Sequence, residues 1–132
     1  MSLESRSHPL DRSERFSPNP AAFSYYGRLE RVRLFVLEHL EEPITLADAA
    51  DIAKMERTAF SSFFHCTTGI CFRDWLSAVR VARAMGLMAS HNLSVRRVAA
   101  KVGYPNVRSF ERVFLRVTGH TPIEYKMSVR PH

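Results

Sequence analysis

What most limits the folds open to this chain is a pattern that occurs twice. Leu46, Ala49 and Ala50 recur as Val95, Val98 and Ala99 at an offset of 49 residues. Phe60, Phe63, Phe64, Thr68 and Gly69 recur as Phe110, Val113, Phe114, Thr118 and Gly119 at an offset of 50, and Trp75 recurs as Tyr125. The one added residue falls in the turn of the second copy, between Gly103 and Asn106. Such self-similarity marks a supersecondary unit used twice, and two matching copies arise by chance far less readily than one.

The second copy is the clearer. Ser94 is a candidate N-cap, and Val95, Val98, Ala99 and Val102 keep a helical period up to Gly103. Asn106 is a second candidate cap, after Pro105. Phe110, Val113, Phe114 and Val117 then fall at i, i+3, i+4 and i+7, the spacing of one buried helix face. Arg108, Arg112 and Arg116 fall four apart and form a basic ridge on the outer side of the same helix. Gly119 supplies the stop, and Thr121-Pro122 opens a further turn of helix containing Tyr125. A short helix, a turn with Gly and a longer helix make a helix-turn-helix, whose second helix can enter the DNA major groove. A single instance suits two packed amphipathic helices with solvated arginines equally well, and the repeat favours the helix-turn-helix.

In the first copy, Thr45-Leu46-Ala47-Asp48 has the form of a capping box, with Asp48 where Glu or Gln is usual. Leu46, Ala49, Ala50 and Ala53 form a stripe of mostly small residues that lets a second helix approach closely. That second helix spans about Arg57 to Cys66, with Phe60, Phe63, Phe64 and Thr67 on its apolar face, before Thr68-Gly69 stops it. Between the copies, residues 72 to about 88 keep one helical pattern. Phe72, Trp75, Leu76, Val79, Ala82 and Met85 are assigned to its apolar side, and Arg73, Arg80 and Arg83 to its polar side. The aromatic residues of both copies, and Trp75, are expected in the core. A scaffold helix from near Gly27 to about Glu41 carries Leu29, Val32, Val36 and Leu40, and Pro43 ends it. Residues 1–26 are rich in Ser, Arg and Pro and keep no period, which suggests a flexible tail or truncated linker. Phe16, Phe23, Tyr25 and Tyr26 qualify that reading, as rings that could dock on the domain or belong to a larger partner domain outside this chain. The expected division is 1–26 as tail, 27–70 as first unit, 71–90 as connecting helix, 91–128 as second unit and 129–132 as C-terminal tail.

Composition narrows the partner. Lys and Arg outnumber Asp and Glu by 19 to 13, a formal charge of +6, which favours a polyanion such as nucleic acid or an anionic surface. No apolar run reaches the roughly 18 residues of a membrane span, and the N-terminus lacks the apolar core of a signal peptide, so a soluble, intracellular protein is expected, and DNA binding in the cytoplasm would place it at the nucleoid. Cys66 and Cys71 have no zinc-finger spacing and are expected to be reduced, packed thiols. The six histidines, His8, His39, His65, His91, His120 and His132, include no pair at metal-ligand spacing, so neither metal nor cofactor is expected. Without a phosphate-binding loop, dinucleotide fingerprint or nucleophile elbow, the chain is not expected to be an enzyme.

Over residues 27 to 127 the sequence resembles the DNA-binding region of the AraC/XylS family of bacterial transcription regulators. The resemblance is most specific at Val98-Ala99, Gly103-Tyr104, Phe110, Val113-Phe114, Gly119, Thr121-Pro122 and Tyr125-Lys126. It implies an all-α fold of about seven helices, in which two helix-turn-helix subdomains, each a homeodomain-like three-helix unit, are joined by a long central helix. It also implies a sequence-specific regulator of double-stranded promoter DNA, most often an activator, with contacts to RNA polymerase and an N-terminal sensor or dimerisation domain outside this chain if the chain is a fragment. Carried over residue by residue, the first reading helix presents Arg57, Thr58, Ser61, Ser62 and His65, and the second presents Asn106, Val107, Arg108, Glu111 and Arg112. Arg116 and Lys126 suit phosphates. The sequence departs from the family at Lys54, where Gly is usual, and at Ser62, where Arg or Lys is common, so the first unit is the weaker reader. The rival reading is a basic helical module that binds nucleic acid without reading bases, or binds a protein partner.

Overall fold

The computed structural model describes residues 16–129, and the chain segments on either side, with His8 and His132, lie outside the described residues. Eight helices and no strand occur among the described residues: α1 (Ala21–Tyr25), α2 (Gly27–Glu38), α3 (Leu46–Ala53), α4 (Arg57–Thr68), α5 (Phe72–Ser90), α6 (Val95–Lys101), α7 (Val107–Thr118) and α8 (Pro122–Val129). The fold is all-α, with two helix-turn-helix pairs, α3–α4 and α6–α7, on either side of the long α5.

Two apolar cores share α5. The first gathers Leu29, Val32 and Val36 of α2, the alanines of α3, Phe60 and Phe64 of α4, and Phe72 and Trp75 from the N-terminal half of α5. The second gathers Val98 and Ala99 of α6, Phe110, Phe114 and Val117 of α7, and Val81, Ala84 and Met88 from the C-terminal half of α5. Burying one such phenyl ring contributes about 1.5–3 kcal/mol, so each unit is anchored chiefly by its phenylalanines. Phe63 and Val113, expected in the core, are only half-buried, because they lie at the rim of the face that Phe60–Phe64 and Phe110–Phe114 centre.

The repeat is close enough to reproduce individual hydrogen bonds. The Thr68 hydroxyl donates to the Phe64 carbonyl (2.7 Å) and accepts from the Ile70 amide (3.3 Å). The Thr118 hydroxyl donates to the Phe114 carbonyl (2.9 Å) and accepts from the His120 amide (3.0 Å). Gly69 (φ 91°) and Gly119 (φ 86°) follow in the left-handed conformation that ends both helices. The Thr45–Asp48 capping box forms, with bonds of 2.9 and 3.0 Å in its two directions, and Thr121–Glu124 forms the matching box on α8.

Four expectations are corrected. Residues 16–26, read as part of an irregular tail, carry α1, bury Phe16 in the second core and bury Phe23 in the first. Phe23 stacks on Trp75 with ring centroids 5.4 Å apart, and the Asn19 amide donates to the Thr68 carbonyl (2.7 Å). The segment thus straps both units, and its rings supply the apolar contact that its polar composition concealed. Helix α2 stops at Glu38 instead of Glu41, because His39 turns back onto the Val36 carbonyl ahead of Pro43. Cys66 and Cys71 are free, but both are exposed instead of packed, since one lies on the solvent side of α4 and the other precedes the first turn of α5. On α5 the buried residues are Phe72, Trp75, Ser77, Arg80, Val81, Ala84 and Met88, so the buried stripe shifts by one residue past the middle of the helix and Ala82 faces solvent. A helix that serves two cores on different sides cannot keep one straight apolar line.

Candidate nucleic-acid interface

The second unit presents its basic ridge on α7. Asn106 caps the helix, its Oδ1 accepting from the amides of Arg108 (2.8 Å) and Ser109 (3.3 Å). The cap satisfies two of the helix's orphan donors without adding charge. With Phe110, Phe114 and Val117 turned into the core, Arg108, Glu111 and Arg112 are exposed on the opposite face, where with Leu115 they line a groove toward Thr121, Pro122 and Ile123. Val107 is half-buried against the second core.

The first unit presents α4 differently. Its N-cap is Glu56, whose carboxylate accepts from the Ala59 amide at 3.1 Å. That bond, with further help from the Thr58 amide, holds the Glu56 carboxyl below its ordinary pKa, so a negative charge sits at the start of this helix. Arg57, Thr58, Ser62 and His65 are exposed along it. Ser61 is half-buried and lines a small groove with Leu46, Phe72 and Leu76, facing α5 more than open solvent.

Two residues expected at phosphates have partners inside the molecule. Arg116 pairs with Asp74 of α5 at 3.4 Å and lies 5.5 Å over the Phe16 ring. With its side chain 45% exposed, that pair contributes no more than about 1 kcal/mol. Lys126 donates to the Leu93 carbonyl at 2.7 Å, which ties α8 to the segment before α6. Arg108 and Arg112, with Arg57 beside the Glu56 carboxylate, are therefore the expected arginines whose exposed side chains are least committed to the fold.

Sequence reasoning assigned Arg80 to the polar side of the central helix, whereas it is 6% exposed and bonded to carbonyls of both units. Arg80 lies at the edge of the face formed by Ser77, Val81, Ala84 and Met88, where helical spacing alone does not separate it from the polar side. Desolvation lowers the Arg80 pKa from its ordinary value, and burial raises that of Tyr104, whose ring lies 5.7 Å from the guanidinium.

Among the described residues no helix is long and apolar enough to cross a membrane. Comparison with known proteins gives the arrangement its relatives. The helix-turn-helix domain family model matches residues 49–128. The RCS-specific HTH-type transcriptional activator RclR of Escherichia coli is 33% identical over 105 residues, covering 80% of this chain and 37% of RclR. The HTH-type transcriptional regulator YfiF of Bacillus subtilis is 28% identical over 94 residues, covering 71% of this chain and 30% of YfiF, so the chain spans about a third of these relatives. Among solved structures, the DNA-binding domain of AdpA in complex with a target DNA superposes with a TM-score of 0.72 at 31% identity, covering 76% of this chain and 91% of that one. The C-terminal domain of AraT, a response regulator from Geobacillus stearothermophilus, shares the fold with a TM-score of 0.76 over 81% of this chain and 89% of that one, at 23% identity. The doubled helix-turn-helix and these relatives together show that the chain belongs to the AraC-type helix-turn-helix family, as the DNA-binding domain of a transcription regulator.

Proposed function

We propose that this domain reads promoter DNA with two helices at once, α4 and α7 entering successive major-groove segments on one face of a duplex, and that the regulator activates transcription. The observation that carries this reading is the exposed Arg108–Glu111–Arg112 face of α7, set on the same α5 scaffold that carries α4. Helix α5 has 19 residues and spans roughly 28 Å, which is near the roughly 34 Å between successive major-groove faces. AdpA's DNA-binding domain was solved on its target DNA and RclR is described as an activator, which supports the same assignment here.

In this reading Arg108 and Arg112 hydrogen-bond guanine through its O6 and N7, Glu111 accepts from cytosine, and Asn106 suits adenine once its Oδ1 leaves the Arg108 and Ser109 amides that it caps. Arg57, Thr58, Ser62 and His65 contact the second segment, with less charge and a laxer preference. Arg116 and Lys126 act at phosphates only by leaving the Asp74 and Leu93 partners they hold in the free domain. RNA polymerase is the proposed further partner, an N-terminal sensor or dimerisation domain the proposed source of control, and the nucleoid the proposed location.

Selection of bound sequences from a random duplex library at near-physiological salt tests this, followed by anisotropy titration of the winners. Two half-sites about 10 base pairs apart are expected. A single half-site would leave α7 as the reader and α4 as a positioning element. Equal, steeply salt-dependent binding to all duplexes would replace the proposal with non-specific phosphate binding.

A further inference from the structure

Arg80 is a buried cation that is met by backbone carbonyls. Its guanidinium reaches the Leu40 carbonyl just beyond α2, the Val102 carbonyl at the end of α6 (2.6 Å) and the Glu42 carbonyl (3.2 Å). Leu40 and Glu42 belong to the first unit and Val102 to the second. These carbonyl dipoles stand at the C-terminal ends of two helices, where the partial charge is negative. The contact continues toward the proposed reading face. The Tyr104 ring lies against Arg80 and packs on Phe110 of α7, with ring centroids 5.7 Å apart. Gly103 (φ 96°) closes the joint, since a Cβ there would fall on the Arg80 guanidinium and the Leu40 carbonyl.

We infer that Arg80 is the positioning residue that fixes the angle between the two units, and so sets the half-site spacing that α4 and α7 accept together. This rests on the two-helix reading above. Other ties between the units are the continuous α5, which is an axis, and the strap through Phe16 and Phe23, which is apolar contact without fixed bonding directions. Tying Leu40 and Val102 to one planar group of fixed geometry supplies those directions, and linked binding is strong only when both sites are engaged without distortion.

The test compares the wild-type domain with Arg80→Met and Arg80→Lys on three duplexes: the selected bipartite site, the same site with one base pair inserted between its halves, and the α7 half-site alone. One inserted base pair turns the far half by about 34°. For the wild type the insertion is expected to weaken binding by about tenfold or more. For Arg80→Met that penalty is expected to fall to about threefold or less, by weaker binding to the bipartite site, with half-site affinity unchanged. Arg80→Lys, which can satisfy one carbonyl but not the set, is expected to fall between them. An undiminished penalty in both variants, with only a lower melting temperature, would overturn the proposal and make Arg80 a stability residue.

If Arg80→Met loses half-site binding through misfolding, Arg80→Lys decides alone. A wild type indifferent to the insertion would instead defeat the two-helix reading. NMR residual dipolar couplings of α4 and α7 then test the joint without DNA, with an unchanged interunit angle and spread in the variants refuting the role of Arg80.

Discussion

Gly69 and Gly119 end α4 and α7 in the same backbone conformation, and Thr68 and Thr118 tie those ends with the same bonds, yet the turns that lead into these two helices are built differently. In the second unit the turn holds Gly103, packed against Arg80 and the Leu40 carbonyl, where no side chain fits. In the first unit Lys54 takes the left-handed conformation at φ 58° with its side chain exposed. The caps differ too, a neutral Asn106 against an anionic Glu56. A helix N-terminus attracts anions, so Glu56 places its own charge where a phosphate would otherwise be favoured, whereas Asn106 caps the helix without adding charge. One repeated plan thus yields a second unit with a closed turn and a net charge of +5 over residues 91–128, beside a first unit with an open turn and a net charge of −2 over residues 27–70.

The largest effect tests whether the two cores match. Phe60→Ala and Phe110→Ala each empty a fully buried site and are expected to destabilise by about 3–5 kcal/mol in chemical denaturation. A much smaller loss at Phe60 would show that the first core is the looser. The turns come next. Gly103→Ala combines left-handed strain with displacement of Arg80 and is expected to lower stability by about 2 kcal/mol or more. Lys54→Gly relieves strain at an open site and is expected to raise stability by up to about 1 kcal/mol, with both read by thermal melts. Matching signs for the two substitutions would erase the contrast between the turns.

The charge difference is addressed by Arg112→Ala, expected to weaken DNA binding by about 1–3 kcal/mol and relax preference at one end of the site. Ser62→Arg, at the equivalent position of the first unit, is expected to strengthen binding and steepen its salt dependence by about one phosphate contact. The smallest effect concerns pH. Because the Glu56 carboxyl is held below its ordinary value, its contribution to stability is complete above pH 4.5 and is lost as pH falls through the lowered value. Glu56→Asn is expected to remove that acid sensitivity while keeping a cap, as seen by hydrogen exchange of the α4 amides across the acidic range. Unchanged exchange profiles would mean that the cap does not govern the start of α4.

Much of the candidate site was legible because it is local. The α7 ridge follows from Arg108 and Arg112 lying out of phase with Phe110 and Phe114, and helical geometry alone assigns opposite faces to the two sets. Arg116 was legible as an exposed cation, whereas Lys126 is half-buried, and neither was legible as a partner of Asp74 or Leu93, which lie 42 and 33 residues away in the chain. Phe16 and Phe23 were legible as rings with no periodicity, and only their destinations in two different cores make residues 16–26 a strap.

The amino-acid order by itself determined the helices, the doubled unit, the caps and the basic face of α7, because each depends on contacts within a few turns of one helix. The tertiary structure decided what holds the two units at one angle. Arg80 has the sequence context of a polar helix residue, and its burial depends on carbonyls at Leu40 and Val102, which become available acceptors only after two separate helices have ended beside it. A charge is tolerated in such a place when dipoles from several elements converge on it, and that convergence is a property of the packed chain.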